Sequence, residues 1–344
     1  MSATLAAERR VAVEAVLQAC RVCQKVFNHL VAGETIIKDD RSPVTVADYS
    51  AQAVVNTYLA EHFPQDLVVG EESARDLQGE VGRALREKVL SLSNAVLRVP
   101  LTESKLLTAI DRGSYGGGPR GRHWTLDPID GTKGFLRGDQ FAVCLALIED
   151  GEVRLGVMGC PNLPAAHLGH AAQATASPPG ERGCLFIAEK GHGAFTRSLV
   201  SDVETRIHVS DTRDCRDARF CESVEAAHSS HSDASRVGQD LGITQDSIRM
   251  DSQCKYGCIA RGDADIYLRL PASATYVEKI WDHASGALLV EEAGGIVTDV
   301  DGKHLDFSRG RFLDANRGVV AANAQIHSEV LRAVQKVLQN PERA

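Results

Sequence analysis

The sequence predicts an α/β protein, with an α+β N-terminal region and an α/β C-terminal region, from three observations. A long helical pattern opens the chain, apolar strands joined by short turns follow in the middle, and the second half alternates short strands with helices. Alternation of that kind favours helices layered on sheets. The 344 residues suffice for two domains or one large one, with ample apolar content for a core. With 38 Lys plus Arg against 46 Asp plus Glu, the net charge is −8, so a general polyanion-binding surface and a nucleic-acid partner are not expected.

Met1 to Cys20 has charges scattered among Ala, Val and Leu, which is neither a signal peptide nor a membrane span. Nine cysteines without a secretory signal point to reduced thiols and a cytoplasmic protein. Cys20 and Cys23 form a C-x-x-C inside a helical pattern with no second pair at zinc spacing, so both are read as core residues.

Val11, Ala15, Val16, Ala19, Val22, Cys23, Val26 and Phe27 recur at helical spacing and predict a first helix to about Leu30. Thr35 to Lys38 reads as a strand, with a polar connection over Lys38 to Pro43. Thr45-Val-Ala-Asp48 fits a capping box ahead of a helix from Tyr49 to Glu61, and taken alone Asp48 has only that role. Leu67 to Gly70 is a short buried strand that delivers Glu71 and Glu72 at its end. Val81 to Leu97 and Leu101 to Ile110 look helical, and Gly113 to Pro119 is a loop.

Trp124-Thr-Leu-Asp-Pro-Ile-Asp-Gly-Thr-Lys-Gly134 is the most informative stretch. Trp124 to Leu126 reads as a strand end, and Pro128 and Gly131 force a turn that fixes the Asp127 and Asp130 carboxylates close together. Such a pair repels unless a cation sits between, and two hard oxygen donors with room for water suit Mg²⁺. Thr132 stands where a helix begins and its free N–H groups face a phosphate.

Beyond it, Phe141 to Ile148 and Val153 to Met158 form one hairpin, and Leu185 to Ala188 with Ala194 to Thr196 another, around an exposed loop over Ala171 to Arg182. Then come a strand at Ala218 to Cys221, a helix from Ser232 to Leu241, a strand at Ser247 to Met250 and a segment from Cys254 to Arg261. A strand at Asp265 to Arg269 follows, then a helix opened by Trp281-Asp282-His283 that stops at Gly294-Gly295. Strands at Ile296 to Asp299 and Val319 to Ala321 and a helix from His327 to Leu338 complete the chain. The division is set near residue 200, giving 1–200 and 201–344.

Asp48, Gly70-Glu-Glu-Ser73, Asp127-Pro-Ile-Asp-Gly-Thr132 and Trp281-Asp-His-Ala-Ser-Gly286 together resemble the signature of the lithium-sensitive, magnesium-dependent phosphatases related to inositol monophosphatase. Lys133 to Gly138, His228-Ser-Ser-His231, Asp251 to Tyr256 and Tyr267 to Pro271 look like the 3'(2'),5'-bisphosphate nucleotidases of the fungal and plant type. The resemblance runs nearly end to end. It implies the layered αβαβα sandwich of the inositol monophosphatase and fructose-1,6-bisphosphatase type.

It also implies two to three Mg²⁺ ions. Glu71, Asp127 and the Ile129 carbonyl would hold one; Asp127, Asp130 and Asp282 a second; Glu72 would support them or hold a third. Thr132 and Asp48 would form a hydrogen-bonded pair that orients the metal-activated water and takes its proton. Thr132 and Asp282 lie at the phosphate to be cut, and Lys255 and Arg269 are candidates for the retained 5'-phosphate or the base edge, with Ser252 and His228 as hydrogen-bonding groups. The two histidines at i and i+3 lack further ligands for zinc, and His231 is not expected to touch substrate.

The implied activity is removal of the 3'-phosphate of adenosine 3',5'-bisphosphate, and of 3'-phosphoadenylyl sulfate. That would clear a by-product of sulfur assimilation in a monomeric cytoplasmic enzyme inhibited by Li⁺ and Na⁺, a link to salt tolerance. Two alternatives stand beside it, an inositol phosphate phosphatase with the same metals and a non-catalytic nucleotide sensor. Against the sensor, every reactive residue type is present.

Overall fold

A computed structural model describes residues 5–31, 42–168, 182–224, 230–271 and 276–339. Helix α1 (Ala6–Val31) forms where the apolar spacing places it: Val11, Ala15, Val16, Ala19, Val22, Cys23 and Phe27 are all buried along one face. Helix α2 (Ser42–His62) packs beside it. Because α2 begins at Ser42, Thr45 to Asp48 lies within its first turns and is no capping box; Asp48 points inward and is buried. The strand predicted over Thr35 to Lys38 and the turn as far as Arg41 lie outside the described residues, and Ser42 and Pro43 belong to α2.

The large sheet has seven strands in chain order: β1 (Leu67–Gly70), β2 (Arg122–Asp130), β3 (Ala142–Glu149), β4 (Glu152–Pro164), β5 (Arg182–Glu189), β6 (Gly193–Ser198) and β7 (Thr205–Ile207). β1 runs parallel to β2, with Gly70 opposite Leu126, and every later neighbour is antiparallel. The period-2 alternation sorts each strand between two layers. Val143, Leu145 and Leu147 join Trp124 and Leu126 against α1 and α2, while Cys144, Ala146 and Ile148 face the opposite side. Strand β2 continues through Pro128, where its register against β3 shifts between Asp127 and Asp130. The turn expected there is therefore a bulge within a strand. Helices α3 (Arg83–Asn94) and α4 (Glu103–Asp111) cover the outer side of α2 through Val89, Leu106 and Ile110.

On the far face of the sheet lie α7 (Cys254–Arg261) and α8 (Ala284–Glu292), then a second sheet ordered β10 (Ile266–Arg269), β12 (Val319–Asn323), β11 (Gly295–Thr298). A bridge from Phe220 to Ile266 attaches the short pair β8 (Cys221–Glu222) and β9 (Ile248–Arg249) to its edge. Instead of a continuous strand over Ala218 to Cys221, the chain makes a 3-10 turn at Cys215–Asp217, bridges at Phe220 and forms a strand over Cys221–Glu222 only. In β12, Val319 and Ala321 face α7 and α8, whereas Val320 and Ala322 face the outer helices α6 (His231–Leu241) and α9 (His327–Gln339). The layers are helix, sheet, helix, sheet, helix, the αβαβα sandwich that the resemblance implied. Between β2 and β3 stands the short helix α5 (Thr132–Arg137).

All nine cysteines are buried and unpaired, Cys20 and Cys23 among them. No helix among the described residues is long and apolar enough to cross a membrane. Most of the loop expected at Ala171 to Arg182 lies outside the described residues; Arg182 itself begins β5.

Candidate active site

The ends of β1 and β2, the turn before α8 and the start of α7 converge on one cleft of about 1540 Å³. Its walls include Glu71, Asp127, Ile129, Asp130, Thr132, Ser252, Lys255, Arg269 and Asp282. Asp48 and Glu72 do not line the cleft but act on one another's charge and on Glu71, Asp48 buried in α2 and Glu72 half-buried after β1. His228 lies outside the described residues.

The bulge in β2 shapes the centre. Asp127 Oδ1 accepts the Ile129 N–H at 3.1 Å, which aims the carboxylate, and Gly131 then turns at φ 88°. Only glycine suits that position, because a Cβ would come within 2.8 Å of Ser252 Cβ. Asp282 closes a 3-10 turn (Ile280–Asp282), and Asp127, Asp130 and Asp282 offer carboxylate oxygens within 4.8 Å of one another. The Thr132 hydroxyl donates to the Ile129 carbonyl at 3.4 Å, so the expected hydrogen bond to Asp48 is not formed here. Helix α5 places it, with the left-handed Gly131 as its cap.

Crowded carboxylates resist ionisation. Burial, then Glu71, Asp130 and Asp282, hold the Asp127 carboxyl well above the usual range. Glu71 is open to the cleft as a residue, yet its carboxylate is hemmed in; burial, then Asp282 and Glu72, push it up to about 8. Asp282 rises to about 6 through burial and then Asp130, against the pull of Arg269. Asp48 is raised by burial, then Glu71 and Glu72, and Glu72 by burial, then Asp76. This is an excess of hard oxygen donors with uncompensated charge, and it fits a divalent cation such as Mg²⁺.

A second acidic group, Glu278, Asp282 and His283, is already satisfied from within. Glu278 holds Arg269 through two contacts of 2.8 Å and lies 3.2 Å from His283 Nε2, whose Nδ1 meets the Tyr256 hydroxyl at 2.8 Å. Arg269 Nη2 also comes to 3.7 Å from Asp282. Lys255 is no surface lysine: it is buried, donates to the Ser252 and Met250 carbonyls at 2.9 and 3.4 Å, and lies 5.3 Å from the Tyr267 ring centroid. Burial lowers its pKa, and Asp130 opposes that shift. Ser252 holds a positive φ of 71°, an uncommon state for a non-glycine residue that turns the chain into α7.

Sequence reasoning passed over Gln52 and Arg311. Gln52, fully buried on α2, donates to the Glu72 and Ile110 carbonyls at 2.7 and 2.9 Å and accepts the Glu72 N–H at 3.0 Å, clamping the chain that carries Glu71. Gly70 is glycine because a Cβ would lie 2.7 Å from the Gln52 oxygen. Arg311 donates to the Gly70 carbonyl at 2.6 Å and lies 4.8 Å from the Trp281 ring centroid, tying β1 to the turn that holds Asp282. No local motif announces either residue, since each acts through contacts distant in sequence.

The inositol monophosphatase family pattern matches residues 5–339. A protein of Emericella nidulans named 3'(2'),5'-bisphosphate nucleotidase is 49% identical over 96% of this chain and 98% of its own length. Proteins of the same name from Schizosaccharomyces pombe (45%; 96% of each chain) and Oryza sativa (42%; 98% of this chain, 96% of the other) are similar over nearly their full length. Among solved structures, the extragenic suppressor protein SuhB of Bartonella henselae superposes with a TM-score of 0.62 at 21% identity, covering 96% of this chain and 99% of the other. An inositol monophosphatase from Zymomonas mobilis gives 0.62 at 20%, covering 97% and 100%, and these two likenesses speak to the fold alone. The chain therefore belongs to the inositol monophosphatase family of phosphatases, and within it to the group of the fungal and plant 3'(2'),5'-bisphosphate nucleotidases.

Proposed function

We propose that this protein hydrolyses the 3'-phosphate of adenosine 3',5'-bisphosphate, giving AMP and phosphate, and acts on 3'-phosphoadenylyl sulfate in the same way. The observation that carries the reading is one cleft holding both a carboxylate cluster and two enclosed cations, Lys255 and Arg269. A substrate with one phosphate to cut and another to hold needs both, and the names of the relatives point the same way.

Glu71, Asp127 and the Ile129 carbonyl would hold one Mg²⁺, Asp127, Asp130 and Asp282 a second, and Glu72 a weaker third. Bound there, the ions neutralise the phosphate and lower the pKa of water. Asp48 takes the proton of the attacking water, and its enclosure among carboxylates suits it to that. Thr132 orients the same water when its hydroxyl turns from the Ile129 carbonyl. The water oxygen bonds to phosphorus, the bond from phosphorus to the ribose 3'-oxygen breaks, and that oxygen leaves and gains a proton from solvent. Arg269 meets the retained 5'-phosphate or the base edge. Lys255 adds positive charge behind Ser252, and Ser252 and His228 supply hydrogen bonds.

In the cell the reaction would clear a by-product of sulfate assimilation and sulfotransfer. We assign it to a monomer in the cytoplasm, sensitive to Li⁺ and Na⁺, with units 1–200 and 201–344 meeting at the cleft.

The test is phosphate release with Mg²⁺ from adenosine 3',5'-bisphosphate, inositol 1-phosphate and inositol 1,4-bisphosphate, each with and without Li⁺. Fast, Li⁺-sensitive release from the nucleotide is expected. Release confined to the inositol phosphates contradicts the assignment, and nucleotide binding without turnover on any substrate makes the protein a sensor.

A further inference from the structure

Gln253 belongs neither to the assigned metal ligands nor to the substrate contacts, yet it touches both sides of the carboxylate cluster. Its backbone N–H donates to Asp130 Oδ2, and the left-handed turn at Ser252 presents it there. Its side-chain amide reaches the other side. Nε2 donates to the Trp281 carbonyl at 2.8 Å, while Oε1 accepts from Ser285 Oγ at 2.9 Å and from the Gly286 N–H at 3.0 Å. Gln253 thus caps α8 from another segment and fixes the residues on either side of Asp282, while being 2% exposed. Arg269 Nη2 lies 3.7 Å from Asp282 and 2.8 Å from Glu278, so one guanidinium stands between these two carboxylates. The amide of Gln253 anchors the turn that carries Asp282.

We infer that Gln253 is a positioning residue that sets the spacing of Asp130 and Asp282, and so the affinity of the cation held between them. The inference rests on the reading of these two carboxylates as ligands of one ion. Groups that orient metal ligands typically govern affinity by about 10- to 100-fold.

The test uses the full chain, with Mn²⁺ binding followed by electron paramagnetic resonance and Mg²⁺ by competition, both without substrate. In Gln253→Leu, one class of ion should weaken by about 10- to 100-fold. At saturating Mg²⁺, KM for the nucleotide should stay within about twofold and kcat should recover, because neither substrate contacts nor ligands are removed. Ser285→Ala, which deletes a single hydrogen bond, should weaken the same ion by about threefold.

Unchanged ion affinity in a folded Gln253→Leu, with only a lower melting temperature, overturns the inference. Should that variant fail to fold, unchanged affinity in Ser285→Ala overturns it equally. Wild-type protein that binds Mn²⁺ but cleaves no nucleotide defeats the assigned activity while leaving the affinity ratio to decide this point. Wild-type protein that binds neither ion defeats both.

Discussion

Asp127 and Asp130 share one strand bulge, and Asp282 reaches them from the start of another helix, so three carboxyl groups meet, with the Arg269 guanidinium 3.7 Å from Asp282. Replacing Asp130 by Asn should lower phosphate release on the order of 10²- to 10³-fold, as removal of a preorganised electrostatic group does. It should also raise the melting temperature of metal-free protein by about 2 °C, relieved repulsion being worth roughly 1 kcal/mol. Scanning calorimetry in chelator checks the second effect, and a lower melting temperature would contradict it. The same crowding sets a pH dependence. Glu71 ordinarily titrates at 4.5 and here near 8, so the folded chain holds a proton that the unfolded chain releases. Stability therefore falls as pH rises from about 4.5 to about 8 in metal-free protein, with Asp282, raised to about 6, adding to the lower part of that window. Saturating Mg²⁺ should flatten this slope, and melting curves across the window with and without the ion measure it. The Asp127 to Thr132 string was legible in sequence because a proline, a glycine and two acids fall within six positions. Gln52, Glu278 and Arg311 were not, because a long-range hydrogen bond leaves no periodic or local trace, and the Asp251 to Tyr256 string gave no sign that Gln253 reaches α8.

Helices α7 and α8 cross where Gly286 meets Tyr256, and a Cβ at that glycine would sit 2.5 Å from Tyr256 Cγ. Gly286→Ala should destabilise the protein by roughly 1–3 kcal/mol, the usual cost of overpacking a filled core. Urea denaturation gives the number, through a lower midpoint at unchanged slope. A neutral result would mean that the two helices are free to part, and with them the Tyr256 to His283 hydrogen bond. Long periodic elements were legible: α1, α9 and the hairpin strands fall where their apolar spacing puts them. Elements set by neighbours were not. The strand β2 runs on through Pro128 because β3 pairs with both sides of the bulge. The early start of α2 at Ser42 hides Asp48 in a helix face, where the Thr45 to Asp48 pattern suggested a cap. Strand β7, three residues at the edge of the sheet, is too short to give a pattern.

Across the whole molecule, the middle layer joins the two halves of the chain. Leu288 and Tyr256 share one core with Met158 and Phe186 of the large sheet and with Val319 and Ala321 of the second. The cleft opens at the margin of that layer, so its carboxylates come from the ends of β1 and β2 and the turn before α8, and its cations from β10 and α7. Sequence could announce the layers through alternation and the cleft carboxylates through motifs. It could not give the pairing of Arg269 with Glu278, which leaves that guanidinium only partly available to an anion. The direction of cleavage tests the proposed reading, in which the carboxylate cluster takes the 3'-phosphate and Lys255 and Arg269 keep the 5'-phosphate. The decisive measurement is phosphorus NMR of the products from adenosine 3',5'-bisphosphate with Mg²⁺. Inorganic phosphate is expected, with adenosine 5'-monophosphate as the sole nucleotide. Adenosine 3'-monophosphate as the product, or no product from a protein that binds Mg²⁺, would contradict it.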